Sequence, residues 1–375
     1  MTSPSVVVIG GGIAGVGAAY ALAQAGSPVT LLEAESTLAY HSTGRSAAIY
    51  FENYGAAANR ALTTASRRFF DEPPPGLVDH PLLEGRGAMW IGTTEQESSL
   101  RAHLADSETS RQPGRWLGPL QACTLVPVLR PDYLVGAVLE PEALDLDVAG
   151  LHQAFVRGLR AAGGEIRNTA RVESLTKSTT KWSIAAGADD LEADVIVNAA
   201  GAWADAVAII AGADPLGLEP RRRTAFMVPG NLAYRNWPLV GDTDNLFYFR
   251  PDGTQLLCSL AEEKLSEPED ARPDELDIAL AIDRINEATT IGIRSVRSSW
   301  TGLRTFAPDR AMVIGWDPRV EGLFWLAGQG GTGIQTAPAA GQLTADLIVD
   351  GQPNPQLQAH GVDVAGLSPS RFSAG

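Results

Sequence analysis

The chain has 375 residues, 45% hydrophobic and 19% charged, a balance that suits two or three globular domains with sizeable cores. Lys and Arg total 29 against 44 Asp and Glu, and the net charge of −15 argues against nucleic acid or an anionic membrane as the main partner. The two cysteines, Cys123 and Cys258, form no Cys-x-x-Cys pattern. They indicate neither a disulfide framework nor a metal site, and a reducing cytoplasm is expected.

The opening carries the strongest signal. Val6-Val7-Val8-Ile9 is a buried β-branched strand that breaks into Gly10-Gly11-Gly12-Ile13-Ala14-Gly15 and continues as an alanine-rich helix to about Gly26. This G-x-G-x-x-G turn sets a pyrophosphate on a helix N-terminus. Gly10 allows the turn, Gly12 the approach of phosphate, and Gly15 the close packing of helix on sheet. A second strand, Val29-Thr30-Leu31-Leu32, ends in Glu33, about twenty residues past the first glycine, where a carboxylate accepts hydrogen bonds from a ribose. No Lys or Arg precedes Arg45, so the apolar opening has no basic n-region and is not expected to be a signal peptide.

Next comes Tyr40-His41-Ser42-Thr43-Gly44-Arg45-Ser46-Ala47-Ala48. Its hydroxyls, backbone N–H groups and arginine suit a phosphate or a flavin edge, and a helix cap accounts for Ser42 and Thr43 equally well. Residues 56–70 read as a helix closed by the proline cluster at 73–75. Residues 80–140 alternate short apolar strands with polar stretches. A helix is expected over 145–162, with Leu151, Phe155 and Leu159 on its buried face and His152, Arg157 and Arg160 off it, His152 being solvated. Gly163-Gly164 caps it, and one strand is expected from Glu165 through Leu175.

The strand Ala193 to Asn198 runs into Ala199-Ala200-Gly201-Ala202-Trp203, small residues that let a backbone or a ligand come close. Arg221-Arg222-Arg223 precedes a strand whose alternation turns one arginine inward, and paired strands are expected over 237–240 and 246–250. Residues 262–277 read as an exposed acidic loop without chemistry, followed by a helix from Glu275 to Ala288. The strand Leu323 to Ala327 then enters Gly328-Gln329-Gly330-Gly331-Thr332-Gly333, with a helix from about Pro338 to Val349. A second glycine turn feeding a helix brings dipole and N–H groups to an electron-rich ligand.

Taken together, the N-terminal fingerprint, His-Ser-Thr-Gly-Arg-Ser-Ala-Ala, Val-Asn-Ala-Ala-Gly-Ala-Trp and Gly-Gln-Gly-Gly-Thr-Gly-Ile-Gln resemble the D-amino-acid-oxidase-like FAD-dependent oxidoreductases over about residues 5–372. The resemblance implies an α/β protein with a Rossmann-like FAD domain (1–78, 145–205, 308–375) interleaved with a substrate domain built on a mixed β-sheet (79–144, 206–307). It implies cofactor contacts from Gly10, Gly12, Ile13, Ala14, Gly15, Glu33, His41, Ser42, Thr43, Arg45, Ser46, Ala47 and Ala48, and from Val172, Ala200, Gly201 and Trp203. Gly330, Gly331, Thr332, Gly333, Ile334 and Gln335 complete that set. No cysteine follows Cys258, so the FAD is expected to be non-covalent.

The implied reaction is oxidation of a D-amino acid to an imino acid by hydride transfer from Cα to flavin, with oxygen or a quinone as final acceptor. By similarity, Arg223 and Arg304 clamp the substrate carboxylate, Tyr54 and Tyr248 support them, and the Gly331 carbonyl faces the amine. An NAD-dependent dehydrogenase would use Glu33 equally well, but the late glycine turn argues against it. A purely structural flavoprotein would have no use for two converging arginines. Within the family, Ala61-Leu62-Thr63, His80-Pro81-Leu82-Leu83, Val126 to Arg130 and Gly302-Leu303-Arg304 are similar to bacterial D-arginine dehydrogenases. There a carboxylate is expected just before Met89, where this chain has Ala88. Ile49, Phe51, Leu239 and Gly241 complete an apolar pocket, so apolar D-amino acids are expected over D-arginine; a sarcosine, glycine or proline-type amine oxidase is the alternative.

Overall fold

The computed structural model describes residues 3–108 and 112–372. Its first layer is a six-stranded sheet in the order Val313–Trp316, Leu323–Ala327, Val195–Asn198, Val6–Ile9, Val29–Leu32, Glu165–Arg167. All neighbours are parallel except the first pair, which is antiparallel. Strand alternation divides this sheet's two faces. Val6 and Val8 pack with Val16, Leu22, Phe155 and Leu343 from the helices Ile13–Gln24, Val148–Ala161 and Gly333–Val349. Val7 and Ile9 pack on the opposite side, against Trp182 and Ile184 of a three-stranded antiparallel sheet and Val207 of the helix Ala204–Ile210. A strand buried on both faces explains the unbroken apolar run at 6–9.

The helices Ile13–Gln24 and Gly333–Val349 lie in close contact. A Cβ on Gly341 would stand 2.6 Å from the Gly17 carbonyl oxygen, so this seam requires glycine. Both helices begin in glycine turns, and both starts line one cavity.

The second layer is an eight-stranded mixed sheet in the order Ser298–Phe306, Glu219–Pro229, Gln255–Ser259, Tyr248–Asp252, Leu239–Asp242, Ala88–Gly92, Gly136–Glu140, Arg115–Leu117. One face buries Met89, Ile91, Phe226, Val240 and Phe249 against Ala281 and Ile285 of the helix Glu275–Ala288. Truncating a core aromatic such as Phe249 costs about 3 to 5 kcal/mol. The other face carries Ala88, Leu239, Tyr248 and Ala225 and looks onto the cavity.

Several expected elements differ. The helix expected over 145–162 runs from Val148 to Ala161, because Leu144–Leu146 pairs as a strand with Ile49–Tyr50 and Leu83–Gly85, and Asp147 caps the helix by accepting from Gly150 N–H at 2.8 Å. The expected strand 165–175 is two strands in different sheets, broken where Thr169 takes a φ of 56°. The last helix starts at Gly333, not near Pro338: Thr336 N–H already donates to the Thr332 carbonyl, so the first turn is complete before the proline. Residues 80–140 also contain the helices Glu97–Ser107 and Pro119–Leu125. No helix among the described residues is long and apolar enough to cross a membrane.

Candidate active site

One elongated cavity runs between the two sheets. Its first part is built on the glycine turn. Gly10 has a φ of 112°, and the carbonyl of Ala199 lies where its Cβ would stand, so only glycine fits. Glu33 holds the turn from the next strand: its Oε2 accepts from Gly11 N–H at 2.7 Å and its Oε1 from Glu35 N–H at 2.8 Å. Thr43 Oγ1 accepts from Ile13 N–H at 3.0 Å, so it caps a helix thirty residues away in sequence. Thr43 is thus a helix cap that also lines the cavity, whereas Ser42 caps no helix and its Oγ donates to the Leu303 carbonyl at 2.6 Å.

His152 corrects the sequence reading. It is 2% exposed, and its Nε2 lies 3.0 Å from the Gly11 carbonyl. Burial depresses its pKa, which keeps the imidazole neutral with the proton on Nε2 facing the carbonyl. It flanks Phe155 on the helix, so the buried face is wider than the apolar stripe alone indicates.

Gly10, Gly12, Ile13, Ala14, Glu33, His41, Ser42, Thr43, Arg45, Ser46, Ala47 and Ala48 line the cavity, with Val172, Ala200, Gly201 and Trp203 at the same end. Gly330, Gly331, Gly333 and Ile334 line it from the second glycine turn. Gly15, Thr332 and Gln335 do not. Gly15 packs against the Gly10 carbonyl, Thr332 Oγ1 donates to the Gln329 carbonyl, and Gln335 bonds both backbone groups of Phe51. These three shape the cavity walls from behind. Arg45 lines the cavity, yet its guanidinium donates to the Thr301 and Ala271 carbonyls and pairs with Asp270. It therefore ties the 262–277 segment down.

The far part of the cavity holds the arginine pair. On the adjacent strands Glu219–Pro229 and Ser298–Phe306, Arg223 stands opposite Gly302, and Arg304 opposite Arg221. Arg223 and Arg304 are thus diagonal neighbours on one face, with a glycine leaving space between them. Of the three consecutive arginines, Arg223 has the most buried side chain, 11% exposed, whereas Arg221 and Arg222 pair with Glu219 and Glu269. Burial, and then the charge of Arg304, lower the Arg223 pKa, so a bound anion relieves the Arg223 guanidinium. Arg304 Nη1 donates to the Tyr54 hydroxyl at 3.3 Å. A Cβ on Gly331 would lie 2.9 Å from that hydroxyl and 3.2 Å from Arg304 Nη1, so the absence of a side chain there lets the three groups meet.

The acidic segment is not a chemically idle loop. Arg223 Nε donates to the Glu262 carbonyl at 2.8 Å, and Glu263 pairs with both Arg223 and Arg310. The Glu262 carboxyl is buried, and burial raises its pKa against the opposing pull of Thr224 N–H and Arg223. Composition pointed to solvent because the acids that turn inward find their arginines only through tertiary pairing.

Ile49, Phe51, Leu239, Tyr248 and Trp90 close the far end. Ala88 lies behind this lining, packed with Leu239. Gly241 does not leave an empty wall: the Trp90 ring covers it, 2.6 Å from where a Cβ would stand. Glu84 is exposed.

A sequence profile described as FAD dependent oxidoreductase, the DAO family, matches residues 5–347. The chain belongs to that family. Its dinucleotide is therefore FAD, and the residues fit it: two adjoining helix starts, neither capped by a side chain of its own, open on one cavity through glycines that exclude a Cβ. Among relatives, the chain is 25% identical to human mitochondrial sarcosine dehydrogenase over 97% of its own length, and it spans 41% of that protein. It is 24% identical to rat mitochondrial dimethylglycine dehydrogenase over 98% of its length and 44% of the relative's. Among solved structures, L-proline dehydrogenase from P. horikoshii superposes with a TM-score of 0.86 at 20% identity, covering 99% of this chain and 98% of that one. Glycine oxidase from Geobacillus kaustophilus gives 0.84 at 22%, covering 99% of both chains. The DAO fold accounts for both likenesses, and the narrower likeness to D-arginine dehydrogenases stays a sequence-based expectation.

Proposed function

We propose that this member of the DAO family oxidises the C–N bond of glycine or of a small N-substituted amino acid, of sarcosine, glycine or proline type. The observation that carries the reading is the diagonal Arg223–Arg304 pair facing the cavity beside Tyr54. Two planar guanidiniums suit a carboxylate through parallel hydrogen bonds. Relatives named for sarcosine, dimethylglycine and proline support an N-substituted amine, and one named for glycine a substrate without a side chain, over a D-amino acid with a large side chain.

In this reading Gly10, Gly12 and the start of the helix Ile13–Gln24 hold the pyrophosphate, Glu33 the ribose, and Val172 borders the adenine. Bound FAD supplies the hydride acceptor. Gly331 and Gly333 bring N–H groups to the end of the cavity where charge develops during the reaction, while the Gly330 N–H is held by the Thr305 carbonyl at 2.8 Å. Arg223 and Arg304 anchor the carboxylate, Tyr54 and Tyr248 fix its angle, and the Gly331 carbonyl receives a hydrogen bond from the amine. The protonated amine gives its proton to solvent before oxidation, so no side chain serves as a strong base.

A second reading, oxidation of apolar D-amino acids, is favoured by the apolar wall of Ile49, Phe51 and Leu239, where burying a side chain contributes roughly 1.5 to 3 kcal/mol. One anaerobic survey separates the two. Sarcosine, N,N-dimethylglycine, glycine and both enantiomers of proline, leucine, methionine, phenylalanine and arginine are mixed with the oxidised protein while the flavin absorbance is followed. Rapid bleaching by sarcosine or proline is expected. Bleaching by D-leucine or D-phenylalanine alone would replace the main reading with the second.

A further inference from the structure

We propose that Trp90 is the specificity-determining residue of this cavity, a fixed stop that limits how long a group the substrate can carry beyond its carboxylate. The proposal rests on the reading that the carboxylate sits at Arg223 and Arg304.

Sheet register puts the stop in place. Gly241 pairs with Tyr248 on one side and with Trp90 on the other, so these three residues form one row across the cavity face. Because Gly241 has no side chain, the indole lies over its backbone toward Tyr248. A β-branched or aromatic residue at 241, the usual choice in a strand, would push it out. Phe51 meets the indole edge-on, with ring centroids 5.8 Å apart.

Each half of this aromatic corner is pinned by a buried polar group. Glu140 is 5% exposed, and its Oε1 accepts from Trp90 Nε1 at 2.8 Å and from His103 Nε2 at 2.6 Å. Its Oε2 accepts from Asn53 at 3.1 Å. Gln335, 3% exposed, bonds the N–H and the carbonyl of Phe51 at 2.8 and 3.1 Å. A buried carboxylate on a strand is costly unless its oxygens are satisfied, and here it holds the indole in a single orientation. The wall is therefore rigid, and Glu140 is a positioning residue that acts through Trp90.

The test uses the FAD-loaded protein and N-alkylglycines of increasing size: N-methyl, N-ethyl, N-butyl and N-benzyl. In parallel, straight-chain carboxylates from acetate to hexanoate are titrated by their perturbation of the flavin spectrum. The parent should lose at least about tenfold in kcat/KM, and in carboxylate affinity, between the short and long members, as a pocket that cannot hold extra methylenes does. Trp90→Ala should shift the long-to-short ratio by at least about tenfold toward the long members. Glu140→Ala should move it the same way by a smaller factor, whereas Glu140→Gln, which keeps an oxygen for Trp90 Nε1, should restore the parent ratio. Unchanged ratios in Trp90→Ala with full FAD content would overturn the proposal, as would equal behaviour of Glu140→Ala and Glu140→Gln. If no N-alkylglycine is oxidised, the amine reading fails by itself, and the carboxylate titration still decides whether Trp90 sets the cutoff.

Discussion

His152 Nε2 lies 3.0 Å from the carbonyl oxygen of Gly11, fastening the helix Val148–Ala161 to the glycine turn of the cofactor cavity. Burial holds this imidazole below its ordinary pKa, so the folded protein resists a proton that the unfolded chain accepts. The stability involved is complete above the unfolded imidazole value of 6.5 and is lost as pH falls below it. Unfolding free energies from urea titrations between about pH 7.5 and about pH 5 should fall more steeply for the parent than for His152→Gln, by up to about 1.4 kcal/mol per pH unit. Parallel curves would show that His152 titrates alike in both states.

On the proposed reading, Arg223→Met or Arg304→Met would leave the substrate carboxylate half-paired in a confined site, which should cost about 2 to 5 kcal/mol in kcat/KM while FAD stays bound. Steady-state kinetics and the flavin-to-protein absorbance ratio read the two effects separately. Kinetics within about twofold of the parent for both variants would place the carboxylate elsewhere.

Gly331→Ala puts a methyl group against the Tyr54 hydroxyl and Arg304, both of which have to shift. Activity should drop at least about tenfold in kcat/KM, since a displacement near 1 Å at a positioned group is enough. The helix Gly333–Val349 and the melting temperature should change little. A fully active Gly331→Ala would mean that the three groups do not act together on the substrate.

The purified protein should be yellow and release intact FAD on heat or acid denaturation. Cys258 is buried in the core of the eight-stranded sheet, and neither it nor Cys123 lines the cavity. Flavin absorbance remaining with the precipitate would establish a covalent bond to another residue.

What was legible in the sequence was local. Val6–Ile9, the three glycines and Glu33 follow one another within a single strand–turn–helix–strand unit, where each residue's environment depends on near neighbours. That one arginine of the three turns inward follows from strand alternation, another local rule, whereas the choice of Arg223 rests on the family resemblance. What stayed hidden depends on pairing between distant segments. Glu140, His103 and Trp90 come from two strands and a helix, and nothing in their separate contexts announces a shared carboxylate. Glu263 looked like a solvated acid because its partners, Arg223 and Arg310, lie at least forty residues away. His152 was placed outside because helical periodicity counts polarity and ignores a carbonyl waiting on another element.

The cavity is walled on one side by the six-stranded sheet's turns and on the other by the eight-stranded sheet. Its ligand would therefore be a keystone as well as a reagent, lying against segments of both sheets. By mass action, a dinucleotide present at a hundred times its dissociation constant adds about 2.7 kcal/mol to unfolding, a sizeable fraction of a typical domain's net stability. In a cell, supply of the cofactor would thus govern how much of this protein survives proteolysis, with abundance tracking the flavin pool before any substrate is oxidised.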